Sequence, residues 1–106
     1  MNNVPASAVK PSQIDVSREF FGTSLRNREK EVVARNIVVL AERKGDKWQP
    51  FTLAEYDDDC AHDVTKSEHA VIERMATDGY LSCGAGTYTV QDKFIAALEE
   101  YVRPSQ

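Results

Sequence analysis

The fold of this chain is decided by residues 51–81, which read FTLAEYDDDCAHDVTKSEHAVIERMATDGYL. The stretch Thr52-Leu53-Ala54-Glu55 fits a capping box, in which a threonine side chain and the glutamate three residues later bond each other's free backbone amides. Phe51 and Tyr56 stand on either side of it, at the two positions of a hydrophobic staple. The pattern predicts a short helix from about Leu53 to Cys60.

The same capping pattern recurs at Thr65-Lys66-Ser67-Glu68. Gly79 lies where a helix-terminating glycine is expected, so the sequence predicts a second helix that runs to about Asp78. Two capped helices with a short connection are typical of a helix-turn-helix.

A hairpin and a last helix are predicted after Gly79. Tyr80-Leu81-Ser82 is a short strand candidate, Gly84-Ala85-Gly86 a turn, and Thr87-Tyr88-Thr89-Val90 alternates as the returning strand. From Lys93 to Val102 the apolar residues fall on one side of a helix, which predicts a C-terminal helix over that range.

Residues 24–44, upstream of the helix-turn-helix, have mainly helical periodicity, and Gly45 supplies a stop. The β-branched run Ile37-Val38-Val39 leaves residues 37–43 open to a second interpretation, a strand that pairs with Lys47–Phe51. The helix is the interpretation that we keep.

The N-terminal residues 1–23 are predicted to form a flexible arm, because they are rich in proline, asparagine and serine. The arm carries a short apolar patch of Ile14, Val16, Phe20 and Phe21. Packing of this patch on the chain's own core is favoured over an exposed docking motif. The domain itself is predicted to cover residues 24–103.

Composition points to one water-soluble domain. The chain has 106 residues, of which 42% are hydrophobic and 28% charged. It contains neither an apolar run of about 20 residues nor a secretory signal, so the expectation is a cytoplasmic protein that binds no membrane. In that compartment Cys60 and Cys83 are expected to be free thiols.

The order of the predicted elements resembles a winged helix-turn-helix domain over about residues 24–102. Met75–Leu81, in which a glycine precedes an aromatic and an aliphatic residue, is similar to the end of the superfamily's third helix. Tyr88–Phe94 is similar to the segment that leaves the wing, although Gln91 stands where many members have threonine. The resemblance implies an α+β, mainly α fold with a three-helix core, a two-stranded wing hairpin and a C-terminal helix.

The resemblance also implies double-stranded DNA as a partner, with the third helix in the major groove and the wing on the backbone or minor groove. Val71, Ile72, Met75 and Ala76 would form the buried face of that helix. The residues expected to meet DNA lie opposite and are Lys66, Ser67, Ala70, Arg74 and Thr77. Lys66 and Arg74 would bind phosphates, Ser67 a base edge or phosphate, and Ala70 a thymine methyl group. The leading hypothesis is therefore a small DNA-binding or transcription-associated regulator, with a homodimer as one possible form.

The charge distribution favours a different partner. Residues 1–51 carry nine Lys/Arg and six Asp/Glu, a balance of +3, whereas residues 52–106 carry four and eleven, a balance of −7. The alternative is therefore a protein-interaction module that presents an acidic face to a basic protein and binds no DNA. That face consists of Glu55, Asp57, Asp58, Asp59 and Asp63.

No residue pattern indicates catalysis, a metal or a cofactor. Cys60, His62, His69 and Cys83 lack the paired spacing of a zinc site. Ser67 and His69 point in different directions on a helix, so they do not form a nucleophile and its base. The sequence therefore predicts a non-enzymatic protein without a cofactor.

Overall fold

The computed structural model describes residues 9–17, 28–60 and 64–103, except for the side chain of Arg28. The protein is mainly helical, with one two-stranded antiparallel sheet. The elements are the helices α1 (Arg28–Arg43), α2 (Leu53–Asp59), α3 (Lys66–Thr77) and α4 (Asp92–Ala97), the strands β1 (Leu81–Gly84) and β2 (Thr87–Val90), and 3₁₀ turns at Pro11–Gln13 and Glu99–Tyr101.

Helix α1 settles the two interpretations of residues 37–43 in favour of the helix. Ile37 and Val38 are each 1% exposed, and Val33 and Ala34 one turn earlier are fully buried. Burial of this wide apolar face outweighs the slight preference of β-branched residues for strands. The predicted start of the helix at residue 24 lies outside the described residues.

The capping box at Thr52 is confirmed in both of its bonds. The Glu55 amide donates to Thr52 Oγ1 at 3.1 Å, and the Thr52 amide donates to Glu55 Oε1 at 3.0 Å. Phe51 and Tyr56, the predicted staple, are 3% and 0% exposed. Helix α2 ends at Asp59, with Cys60 as its C-terminal cap.

At Thr65 only the threonine half of the predicted box is seen. The Glu68 amide donates to Thr65 Oγ1 at 3.3 Å, but the Glu68 carboxylate accepts a bond from the Tyr56 hydroxyl at 2.9 Å. The carboxylate thus joins α3 to α2. At the other end of α3, Gly79 has a φ of +89°, the left-handed conformation expected of a glycine stop.

The predicted hairpin forms, with Leu81 opposite Val90 and Gly84 opposite Thr87. Ala85 and Gly86 connect the strands with φ of +54° and +78°, the signature of a type I′ turn. Phe51, just before α2, exchanges two backbone hydrogen bonds of 2.9 and 2.8 Å with Tyr88 on β2. This single bridge joins the segment between α1 and α2 to the sheet.

The C-terminal helix predicted for Lys93–Val102 is shorter than expected. Helix α4 ends at Ala97, and the chain tightens at Leu98 into the 3₁₀ turn of Glu99–Tyr101. Val102, the last residue of the predicted helix, is extended and forms an antiparallel bridge with Ile14 instead.

Part of the predicted N-terminal arm is packed against the domain. Ile14 is 2% exposed and belongs to the core, and Val16 packs against it. The Trp48 ring nitrogen donates to the Val9 carbonyl at 2.6 Å. Ile14 and Val16, the first half of the apolar patch, therefore pack against the core, whereas Phe20 and Phe21 lie outside the described residues.

One hydrophobic cluster joins α1, α2, α3, the hairpin and the C-terminal segment. Its fully buried side chains include Tyr56 from α2, Ile72 and Met75 from α3, and Phe94 from α4. Among the described helices, none is long and apolar enough to cross a membrane.

Candidate nucleic-acid interface

Helix α3 is anchored by the apolar face that the sequence predicts. Ile72 and Met75 have no exposed surface, Val71 is 7% exposed, and Ala76 is partly buried against the core. The helix contacts α1 on one side and β1 on the other. Its orientation is therefore fixed by the core, and the opposite face points to solvent.

The five residues expected to meet DNA share that outward face, and each is exposed. They are Lys66, Ser67, Ala70, Arg74 and Thr77. Lys66, Ala70 and Arg74 follow one another at intervals of four, which places them in one row along the helix. At a rise of about 1.5 Å per residue, the two cations stand about 12 Å apart along the axis. The face is therefore continuous from the first turn of α3 to the last.

The chemistry of this face is mixed. Glu73, next to Arg74, is also exposed and brings a negative charge to the same side. The Thr77 hydroxyl donates to the Glu73 carbonyl at 3.2 Å, so its proton is used within the helix and its oxygen is left to accept. Lys66 and Arg74 carry the attraction that this face offers to an anion.

The β1–β2 hairpin adds hydrogen-bonding groups without positive charge. Residues 82–86 are exposed, and residues 82–87 include no lysine or arginine. Ser82 Oγ accepts a bond from Gln91 Nε2 at 3.0 Å, which joins the hairpin to the start of α4. Contacts of the hairpin with an anion would therefore come from hydroxyls and backbone amides.

Three of the four acidic residues of α2 contact basic side chains of the protein, two of them lysine or arginine. Glu55 Oε2 lies 2.7 Å from Lys44 Nζ, and Asp59 Oδ1 lies 3.3 Å from Arg43 Nη1. Asp57 Oδ1 lies 2.7 Å from His69 Nε2 on α3. Local positive groups thus offset part of the charge of the predicted acidic face.

The electrostatics of Glu55 reflect this pairing. The hydrogen bond from Lys44 and the bond from the Thr52 amide lower the pKa of Glu55 below its usual value. Asp58 is exposed, and Asp63 lies outside the described residues.

A partly buried polar network joins α1, α2 and α3, and it was not predicted from the sequence. The fully buried Tyr56 donates its hydroxyl proton to Glu68 and accepts a bond from Asn36 Nδ2 at 3.1 Å. Burial is the main reason that the pKa of Tyr56 is raised above its usual value. The available signal was Asn36, an amide inside the apolar run of α1.

Another cation is engaged at the C-terminal end of α3. Lys93 Nζ donates to the Asp78 carbonyl at 2.6 Å and lies 4.5 Å from the centre of the Tyr80 ring. Lys93 therefore links α4 to the end of α3 and does not extend the outward face of α3 that carries Lys66 and Arg74.

The described residues include no group of three or more His, Cys, Asp or Glu side chains arranged to hold a metal ion. Cys60 and Cys83 are both free thiols, and burial raises the pKa of Cys60. His62, one of the four residues considered for zinc, lies outside the described part of the chain.

No protein-family model matches the chain, and neither a curated protein nor a solved structure matches it. The resemblance to winged helices therefore depends on the residues and the element order given above.

Proposed function

We propose that this chain is a winged-helix domain that binds double-stranded DNA by placing α3 in the major groove, as part of a small regulator. The observation that carries the proposal is the outward face of α3, which is exposed along its whole length while its opposite face is locked into the core. A helix presented in this way has the dimensions that the major groove admits.

The element order supports the winged-helix assignment. Helices α2 and α3 both contact α1, and the hairpin follows α3 directly, which is the order expected of a helix-turn-helix with a wing. The Phe51–Tyr88 bridge attaches the segment between α1 and α2 to the same small sheet. Helix α3 and the base of the hairpin therefore pack into the same hydrophobic cluster.

Each exposed residue of α3 has a role in this proposal. Lys66 and Arg74 bind phosphates, one near each end of the helix. Ser67 and Ala70, between them, meet base edges, where the alanine methyl group suits a thymine methyl group. The Thr77 oxygen accepts a bond from a base amino group, as does Glu73, whose carboxylate suits cytosine N4.

Fluorescence anisotropy of a labelled mixed-sequence duplex tests the proposal. We expect binding at low salt that weakens as salt is raised. The double variant Lys66→Glu with Arg74→Glu should weaken binding by more than about a hundredfold, because two attractive contacts become repulsive.

The control is Lys10→Glu with Lys47→Glu, which changes the net charge equally at a site away from α3. It should leave most of the affinity in place. The proposal fails if micromolar protein does not bind at low salt, or if both double variants weaken binding to the same extent.

A protein-interaction module remains the second candidate function because Asp58 is exposed beside the engaged acids of α2. In this case a basic peptide such as oligolysine would bind, and replacing Asp57, Asp58 and Asp59 with asparagine would abolish that binding. If the peptide does not bind at low salt, or binds the triple variant equally well, the acidic face has no such role.

A further inference from the structure

A second surface feature lies away from the α3 face. A cleft of about 280 Å³ opens between the N-terminal segment and the loop that follows α1. Val9, Lys10 and Pro11 line one side, and residues 45–48 line the other. The two walls are far apart in the sequence and meet only through the fold.

Tertiary contacts fix both walls of this cleft. The Ser12 amide and hydroxyl donate to the two carboxylate oxygens of Asp46 at 2.8 and 2.7 Å. Trp48 donates its ring N–H to Val9, and the edge-on contact of its ring with Phe94 has a centroid distance of 6.1 Å. The cleft is therefore preformed, which reduces the entropy that a ligand must overcome.

The charged lining favours an anion. Lys10 and Lys47 are exposed, and each of the two segments that line the cleft contributes one of them. Asp46 is the one acidic residue of the lining, and both of its oxygens already accept bonds from Ser12. The lining therefore carries a net positive charge, with two ammonium groups as donors.

Trp48 gives the cleft an aromatic surface as well. Its indole is partly exposed and lines the cleft between Lys47 and the N-terminal segment. Planar bases stack on tryptophan rings, and lysines bind phosphates as point charges. A ligand that uses all three side chains carries a planar ring and an anionic group.

We propose that this cleft binds a single nucleotide, with its base against Trp48 and its phosphate between Lys10 and Lys47. The volume of about 280 Å³ lies just below the usual range of small-molecule sites, which suits one nucleotide better than a dinucleotide. The site shares no residue with the outward face of α3, so it stands independently of the proposed DNA binding.

Trp48 itself reports on this site, because it is the only tryptophan of the chain. We would titrate the protein with adenosine monophosphate and follow tryptophan fluorescence, with adenosine and inorganic phosphate as separate probes. The nucleotide should quench the fluorescence saturably, and adenosine should bind about tenfold more weakly because it lacks the charge-assisted contacts.

The variant Lys10→Ala with Lys47→Ala should lower the affinity for adenosine monophosphate about tenfold or more and leave that for adenosine unchanged. Both lysines are exposed, so the variant should fold, and its thermal unfolding would verify this. Lys66→Ala with Arg74→Ala is the matched control and should titrate as the parent protein does.

Three results would overturn the proposal. They are the absence of saturable quenching at millimolar nucleotide, equal affinity for adenosine and the monophosphate, and full nucleotide affinity in the Lys10/Lys47 variant. Loss of DNA binding in the α3 variants has no bearing on this outcome.

Discussion

Tyr56 is fully buried and carries its hydroxyl group into the core. Its hydroxyl is held between Asn36 and Glu68. Replacing Tyr56 with phenylalanine keeps the ring but leaves the amide and the carboxylate each without this partner. We expect a loss of about 1–2 kcal/mol in the free energy of unfolding, measured by urea denaturation.

The double variant Asn36→Ala with Tyr56→Phe is the control for that prediction. If the hydrogen bond between Asn36 and Tyr56 carries the effect, the summed losses of the two single variants should exceed the loss of the double variant by more than about 0.5 kcal/mol. Additive losses would show that the hydroxyl contributes without Asn36.

Asp46 links stability to acid pH. The bonds from the Ser12 side chain and then the Ser12 amide lower the pKa of Asp46 below its ordinary value of 3.8. Because the folded state holds this carboxylate in its charged form, Asp46 stabilises the protein above its unfolded pKa. That contribution is lost as the pH falls through the folded pKa.

Ser12→Ala removes the largest cause of the shift, so stability should fall less steeply on acidification than in the parent protein. Urea unfolding at a series of pH values between about 5 and 2 measures the slope. Asp46→Asn is the control, since asparagine tolerates the φ of +58° and does not titrate. An unchanged slope in both variants would contradict this role of Asp46.

At the scale of elements, the two helix caps differ in how they are completed. Thr52 takes part in both bonds of its box, whereas Thr65 makes one bond at 3.3 Å and Glu68 is held by Tyr56. Thr52→Ala should cost about 1 kcal/mol of unfolding free energy, and Thr65→Ala less than that. Serine at either position should restore most of the loss in the same denaturation experiment, and a larger cost at Thr65 would refute the ranking.

The turn of the β1–β2 hairpin contains a residue in an unfavourable conformation. Ala85 has a φ of +54°, which a non-glycine residue rarely adopts, and Asn-Gly is the sequence that type I′ turns prefer. Ala85→Asn should therefore raise the free energy of unfolding by about 0.5–1 kcal/mol. Gly86→Ala, at a φ of +78°, should lower the free energy of unfolding. Thermal or urea denaturation measures both changes. A destabilising Ala85→Asn would show that the turn is not strained at this position.

Elements with local signals could be predicted from the sequence. The Thr52 box and the hairpin turn are determined by neighbouring residues, and both form as expected. Residues 37–43 were ambiguous because strand and helix preferences conflict there, and only burial in the assembled core decides between them. The last helix was predicted too long because the pairing of Val102 with Ile14 is invisible to local periodicity.

At the scale of the whole molecule, residues 13–15 pair with residues 101–103 at the other end of the described chain. The Asp15 amide donates to the Tyr101 carbonyl at 2.7 Å, and the Arg103 amide donates to the Gln13 carbonyl at 2.7 Å. A composition rich in proline and serine predicted a flexible arm here. Composition does not show which few apolar residues of such a segment will pack against the core. The cleft beside Trp48 was unpredictable for the same reason, since its two walls come from distant segments.

The candidate DNA interface was partly predictable. The spacing of Val71, Ile72 and Met75 identified the buried face of α3, and so the face opposite. The ion pairs of the acidic residues were not predictable, because Lys44 and Arg43 reach Glu55 and Asp59 only after α1 and α2 have packed.

The charge on the α3 face sets how strongly salt should weaken DNA binding. In the proposed complex Lys66 and Arg74 would neutralise about two phosphates per protomer, so the logarithm of the binding constant should fall with the logarithm of salt concentration at a slope of about −1.8. A homodimer that uses both faces would double the slope.

Lys66→Ala should make the slope shallower by about 0.9 per protomer, whereas Ser67→Ala should change affinity without changing the slope. Anisotropy titrations at several salt concentrations measure each slope, and sedimentation velocity gives the number of protomers. If a monomer shows a slope steeper than about −4, most of the phosphate contacts lie outside α3, and this helix is not the main anchor.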